Sequence, residues 1–100
     1  MVKHIILWNL KDEFSCEQKQ KIMSEIKEGL ESLKGKIEGL VEIKVQIEKL
    51  DSSTADLMLD STFESEDALK FYSTHPEHVK VADEKVRPFT AIRSCLDFEI

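Results

Sequence analysis

Apolar and polar residues alternate without a fault from Val41 to Glu48: Val41, Ile43, Val45 and Ile47 on one side, Glu42, Lys44, Gln46 and Glu48 on the other. A side-chain period of two is that of a half-buried strand. Asp56 to Phe63 repeats the pattern, with Leu57, Leu59, Ser61 and Phe63 together. Between them Asp51-Ser52-Ser53-Thr54-Ala55 is turn chemistry, so the two strands are expected to form a hairpin. Val2 to Lys11 reads as another strand, apolar at its centre on both faces, as for an interior strand covered on two sides. His4 then points the same way as Ile6 and Trp8. Arg93 to Ile100 is the last strand, with Ser94, Leu96, Phe98 and Ile100 opposed to Arg93, Cys95, Asp97 and Glu99.

Two stretches between the strands have the longer period of a helix. Ser15 with Gln18 is a capping-box signature, Glu17 suits the first turn and pairs at i,i+4 with Lys21, and Ile22, Met23, Ile26, Leu30, Leu33 and Ile37 follow at helical spacing. Gly35 supplies a stop, which predicts a helix over 16–34. Ser65 caps the second stretch, with Glu66 and Asp67 at its positive end and Ala68, Phe71, Tyr72 and His75 on one face. His78, Val79, Ala82, Val86 and Phe89 carry an apolar stripe onward to Pro88. The order is therefore βαββαβ. Two interleaved right-handed βαβ halves give a ferredoxin-like α+β fold, a four-stranded antiparallel sheet with helices on one face, as a single domain over 1–100.

Composition narrows the function classes. One hundred residues can bury about two thirds of the unfolded surface. Twenty acidic against 14 basic residues leave a net charge of −6, which argues against a nucleic-acid surface. No run approaches the apolar length of a membrane span, and the short apolar start runs straight into Lys11-Asp12-Glu13, unlike a secretory signal. Cys16 and Cys95 lack a partnered spacing and read as free thiols of a reducing cytoplasm. Three scattered glycines make no phosphate loop, so no nucleotide cofactor is expected.

Candidate chemistry concentrates in Tyr72-Ser73-Thr74-His75-Pro76-Glu77-His78-Val79, which holds the only tyrosine and two of the three histidines. Pro76 must end the helix arriving from Leu69 and suits the first position of a new one, with Thr74 or His75 as the cap. A helix broken there can aim Tyr72, His75 and His78 toward one place. A histidine at position 78 has the ordinary pKa of a general base at neutral pH, and Tyr72 could donate to a developing enolate oxygen. His4 is the third imidazole. His75, pushed out of helical backbone by Pro76, is expected to cap the second piece or bond across the break. With His4 and Trp8 it is also a candidate substrate-binding residue. Trp8 and Phe71 fit core or dimer contacts, and Cys95 an inert small hydrophobe. His75-x-x-His78 with His4 could in principle hold a zinc-type ion, with Asp97 behind it, but no metal is assigned.

The Val-Lys-His opening, the Tyr-x-x-His-Pro-x-His-Val segment at 72–79 and the terminal Leu-Asp-Phe-Glu strand, in βαββαβ order, resemble the Dabb, or stress-responsive A/B barrel, family. The resemblance implies a homodimer in which two sheets face each other as a dimeric α+β barrel. Plant polyketide cyclases of that family close a linear β-polyketide by aldol condensation without a cofactor, and their catalytic histidine, supporting tyrosine and strand histidine match His78, Tyr72 and His4. Two classes of function follow as expectations. One is a cofactor-free cyclase or lyase acting on a small β-keto, carbonyl or phenolic compound. The other is a non-enzymatic, stress-associated binding or assembly module.

Overall fold

The structure, a computed structural model, describes residues 1–100. The strands are β1 (Val2–Leu10), β2 (Leu40–Gln46), β3 (Leu57–Phe63) and β4 (Thr90–Glu99), and the helices α1 (Cys16–Glu31), α2 (Glu66–Thr74) and α3 (Pro76–Val81). A π-helical turn, Ala82–Val86, continues α3. The sheet order is β2-β3-β1-β4 with every neighbour antiparallel, the ferredoxin-like topology expected from the element order. No helix is long and apolar enough to cross a membrane.

All helices lie on one face. β1 turns Val2, His4, Ile6, Trp8 and Leu10 toward them, each at most 8% exposed. Ile22, Met23, Ile26 and Leu30 of α1 cover these residues, each such burial being worth about 1.5–3 kcal/mol. The other face is bare within the chain. Leu7, Ile92, Leu96 and Phe98 stand 40–64% exposed there, so the second cover expected over β1 is absent from this protomer.

Several boundaries move for identifiable reasons. α1 ends at Glu31, short of Lys34, because Leu33, Lys34 and Lys36 donate to carbonyls three residues back and tighten the chain into turns; Gly35 follows at φ +83°. Leu33 and Ile37 are nevertheless buried. A register shift between Leu40 and Glu42 puts Leu40 inside and Val41 out, which interrupts the perfect alternation at its first step. The α1 ion pair is Lys27–Glu31 and not Glu17–Lys21. In α2 the inward pair is Leu69 and Tyr72, three apart, while Phe71 is turned out at 51% exposure beside His75. Phe71 is therefore no core residue of this protomer.

Gly39 fixes where α2 sits. Its φ is +89°, and a Cβ built on it would lie 2.6 Å from the Cβ of Ala68. Only glycine combines the left-handed backbone with that close approach. The approach delivers α2, and with it Tyr72, onto the sheet.

Candidate functional site

Pro76 breaks the helix as its chemistry demands, and His75 makes the break orderly. His75 is extended at φ −65°, ψ 132°, the conformation expected before proline. Its N–H donates to the Tyr72 carbonyl to close α2, and its Nδ1 accepts from the Glu77 N–H to open α3, at 3.1 Å in each case. Its ring meets Phe71 edge-on at 5.4 Å on the outside. His75 is thus a cap that stands clear of the other candidates. It does not line the cavity that holds the other candidate substrate-binding residues, and its Nδ1 is already occupied by the Glu77 N–H.

The remaining four converge. His4 and Trp8 from β1, Tyr72 from α2 and His78 from α3 line one cavity of about 210 Å³ between sheet and helices. The rings of Tyr72 and His78 stack with centroids 4.1 Å apart at 34°, and His4 meets Tyr72 edge-on at 6.3 Å. Leu30 and Leu59 make the apolar floor, and Ala82 and Val86 of the π turn close one side. That turn bonds the Arg87 N–H to the Ala82 carbonyl, five residues back, a helical irregularity that recurs at functional sites. A wider groove of about 790 Å³ runs beside β2, but it is an open surface whose Glu31 and Glu42 are already paired with Lys27 and Lys34. It offers no comparable chemistry.

The polar groups of the cavity are set for donation and acceptance. Tyr72 is 1% exposed, and its Oη is the one buried side-chain polar atom of the chain without a hydrogen-bond partner. Burial pushes the phenol far above its usual range, so it stays a neutral donor. His78 Nδ1 lies 3.3 Å from the Ser73 carbonyl, which can only accept. The proton therefore sits on Nδ1, and Nε2 keeps its lone pair. Burial holds the His78 pKa below 6.5 against that bond, and the charges of Arg87, His4 and Arg93 add to the depression. The ring is neutral at pH 7 and able to take a proton.

His4 is braced from the neighbouring strand. β4 pairs with β1 so that Asp97 lies opposite His4, and Asp97 Oδ1 is 2.5 Å from His4 Nδ1. A carboxylate accepts, so Nδ1 donates and Nε2 is left for the cavity. Burial raises the Asp97 pKa, but the His4 bond and charge outweigh it and hold the carboxyl below its ordinary value. The Cys95 thiol donates to the same oxygen at 3.4 Å, and burial together with Asp97 pushes its pKa up. The Ser61 hydroxyl donates to the His4 carbonyl at 2.9 Å. His4, Cys95 and Asp97 bring a nitrogen, a sulfur and an oxygen within 4.8 Å of one another, but these atoms already serve as each other's hydrogen-bond partners.

Asp97 was named in the sequence only as support behind a metal site and not as the brace of His4, and Arg87, Arg93 and Ser73 were not legible as walls. The signal lay in the strand register, which sets Asp97 against His4 and Arg93 against Trp8. It is readable only once β4 is known to border β1.

Residues 2–100 match the family model of the Stress Responsive A/B Barrel Domain, Dabb. The chain is a Dabb protein. A dimeric, ferredoxin-like protein of unknown function from Bacteroides fragilis is 36% identical to it, with a TM-score of 0.92 over 99% of this chain and 95% of that one. A Dabb family protein from Mesorhizobium loti shares the fold at 16% identity and a TM-score of 0.75, over 99% and 95% of the two chains. The hydroxynitrile lyase of Passiflora edulis shares it at 20% identity and 0.74, over 99% and 92%. No curated protein matches this Dabb chain.

Proposed function

We propose that this Dabb protein is a homodimer whose cavity takes a small carbonyl compound and moves a proton on it without a cofactor. The observation that carries the reading is the buried, unpartnered hydroxyl of Tyr72, whose ring stacks on a neutral His78 beside a cavity that both residues line. A buried hydroxyl without a partner is costly, and a ligand oxygen that accepts from it removes that cost. His78 Nε2 takes a proton from the carbon beside the carbonyl, and the C–H electron pair moves to form the enolate, whose oxygen accepts from Tyr72. In an aldol closure the enolate carbon then attacks a second carbonyl, whose oxygen recovers the proton from His78. His4, held by Asp97 through Nδ1, offers Nε2 as an acceptor for a hydroxyl of the ligand, such as that of its enol form. Trp8 packs against the ligand's apolar part.

The dimer is supported by the dimeric relatives and by the bare apolar residues Leu7, Ile92, Leu96 and Phe98 on the helix-free face. Light scattering is expected to give twice the 11.5 kDa chain mass. A single-chain mass at micromolar concentration would remove the dimer.

Deuterium uptake at the central methylene of pentane-2,4-dione, followed by NMR against protein-free buffer, tests the chemistry. Wild type is expected to accelerate it, and His78→Ala to lose most of the acceleration, on the order of 100-fold for loss of a general base. Full retention by the variant would take the base role from His78. Binding without acceleration would overturn the enzymatic reading in favour of a binding module.

A further inference from the structure

We infer that the ligand of this cavity is a small monoanion, a keto acid whose carboxylate is clamped by Arg93. The inference rests on the carbonyl-pocket reading and names its substrate class. The chain has 20 acidic residues and a net charge of −6, yet none of those carboxylates lines the cavity. The ionisable groups that do are His4, Tyr72, His78, Arg87 and Arg93. A cationic wall in an acidic protein is a local inversion of charge, and it draws an anion toward the cavity.

The two arginines differ. Arg87 is engaged by Asp83 one turn back. Arg93 forms no close ion pair with a carboxylate of the chain, although its charge reaches Asp97 and the Cys95 thiol on the same face of β4. Asp97, on the same face of β4, is taken by His4. Arg93 sits opposite Trp8 on β1, so Arg93 on the sheet and Tyr72 on α2 belong to different walls of the same hollow. One ligand can therefore meet the guanidinium with one end and the phenol with the other.

Size and geometry choose the anion. The cavity holds about seven waters' worth of volume at about 30 Å³ each, below the range of drug-sized sites. A single planar guanidinium matches a carboxylate through two parallel hydrogen bonds. A phosphate calls for a further backbone cradle, and no left-handed glycine lies at this cavity; Gly35 and Gly39 are elsewhere.

Acetoacetate and pentane-2,4-dione, similar in size and differing in the carboxylate, test the inference. Binding is read from the chemical shift of the Trp8 indole N–H, since Trp8 is the only tryptophan and lines the cavity. Acetoacetate is expected to bind wild type about tenfold or more tighter than the diketone. Arg93→Gln should abolish that preference by weakening acetoacetate far more than the diketone, and Arg93→Lys should restore part of it, because the charge returns without the fork. Arg93 is exposed on an edge strand, and unchanged amide spectra of both variants check folding. Equal binding of the two probes to wild type, or an unchanged preference in Arg93→Gln, overturns the clamp and leaves the carbonyl pocket standing. Failure of both probes to shift Trp8 overturns the pocket as well. Competition by inorganic phosphate as strong as that by acetoacetate overturns the carboxylate assignment.

Discussion

Replacing Tyr72 by phenylalanine should make the protein more stable. The ring is 1% exposed, packs on Phe63 at 4.9 Å between centroids and stacks on His78 at 4.1 Å, and phenylalanine retains all of that surface. What it loses is a hydroxyl that no protein group accepts from. Burying a hydroxyl without a partner costs about 1–3 kcal/mol on the scale of protein mutations, so its removal should raise the unfolding free energy by about 1 kcal/mol or more. For a domain of this length each kcal/mol corresponds to about 4–8 °C in Tm. Urea and thermal unfolding of both proteins at one fixed protomer concentration would read the change without interference from association. The same variant should lose affinity for pentane-2,4-dione by about tenfold, the worth of one good hydrogen bond in a dry site. A less stable Tyr72→Phe protein, or one of equal stability, would mean that the hydroxyl is satisfied in the free protein and is not held for a ligand.

Three further outcomes follow from the geometry. Burial depresses the His78 pKa below its unfolded 6.5, so the unfolded chain binds more protons in that window; stability should be intact above about pH 6.5 and fall as the pH drops through the folded value, and His78→Gln should flatten that part of the profile. Asp97, held low by His4, contributes stability above its unfolded 3.8 that is lost as the pH falls through the folded pKa; Asp97→Asn should flatten acid unfolding below about pH 4. Gly35→Ala and Gly39→Ala each force a left-handed alanine at a cost of about 1–2 kcal/mol. Only at Gly39 does the new methyl collide with Ala68, adding about 1–3 kcal/mol that chemical denaturation should resolve.

The fold was legible because its signals are local. Ser15 and Gln18 form the capping box they announce, with Gln18 N–H donating to Ser15 Oγ and Ser15 N–H to Gln18 Oε1. Pro76 breaks the helix where its ring requires. The gathering of His4, Trp8, Tyr72 and His78 followed from the inward face of β1 and the broken helix together. What stayed hidden depends on pairing across the chain. Asp97 reaches His4 only through the β1–β4 register, over a separation of 93 residues. Alternation in β4 showed two faces without saying which one meets the helices, and its polar face, not its apolar one, turns out to border the site. Phe71 and His75 looked like companions of Tyr72 on one helix face. Burial prefers the three-residue spacing of Leu69 and Tyr72, which leaves the four-residue pair outside. The π turn over 82–86, which ends on the buried Val86, has no sequence signature.

A crystal structure of the protein grown with pentane-2,4-dione tests the central claim most directly. The diketone is expected in the hollow between β1 and the broken helix, with one oxygen about 2.5–3.0 Å from Tyr72 Oη and its central carbon facing His78 Nε2. A diketone bound elsewhere, or a Tyr72 hydroxyl bonded to a protein group in a collapsed hollow, would contradict it.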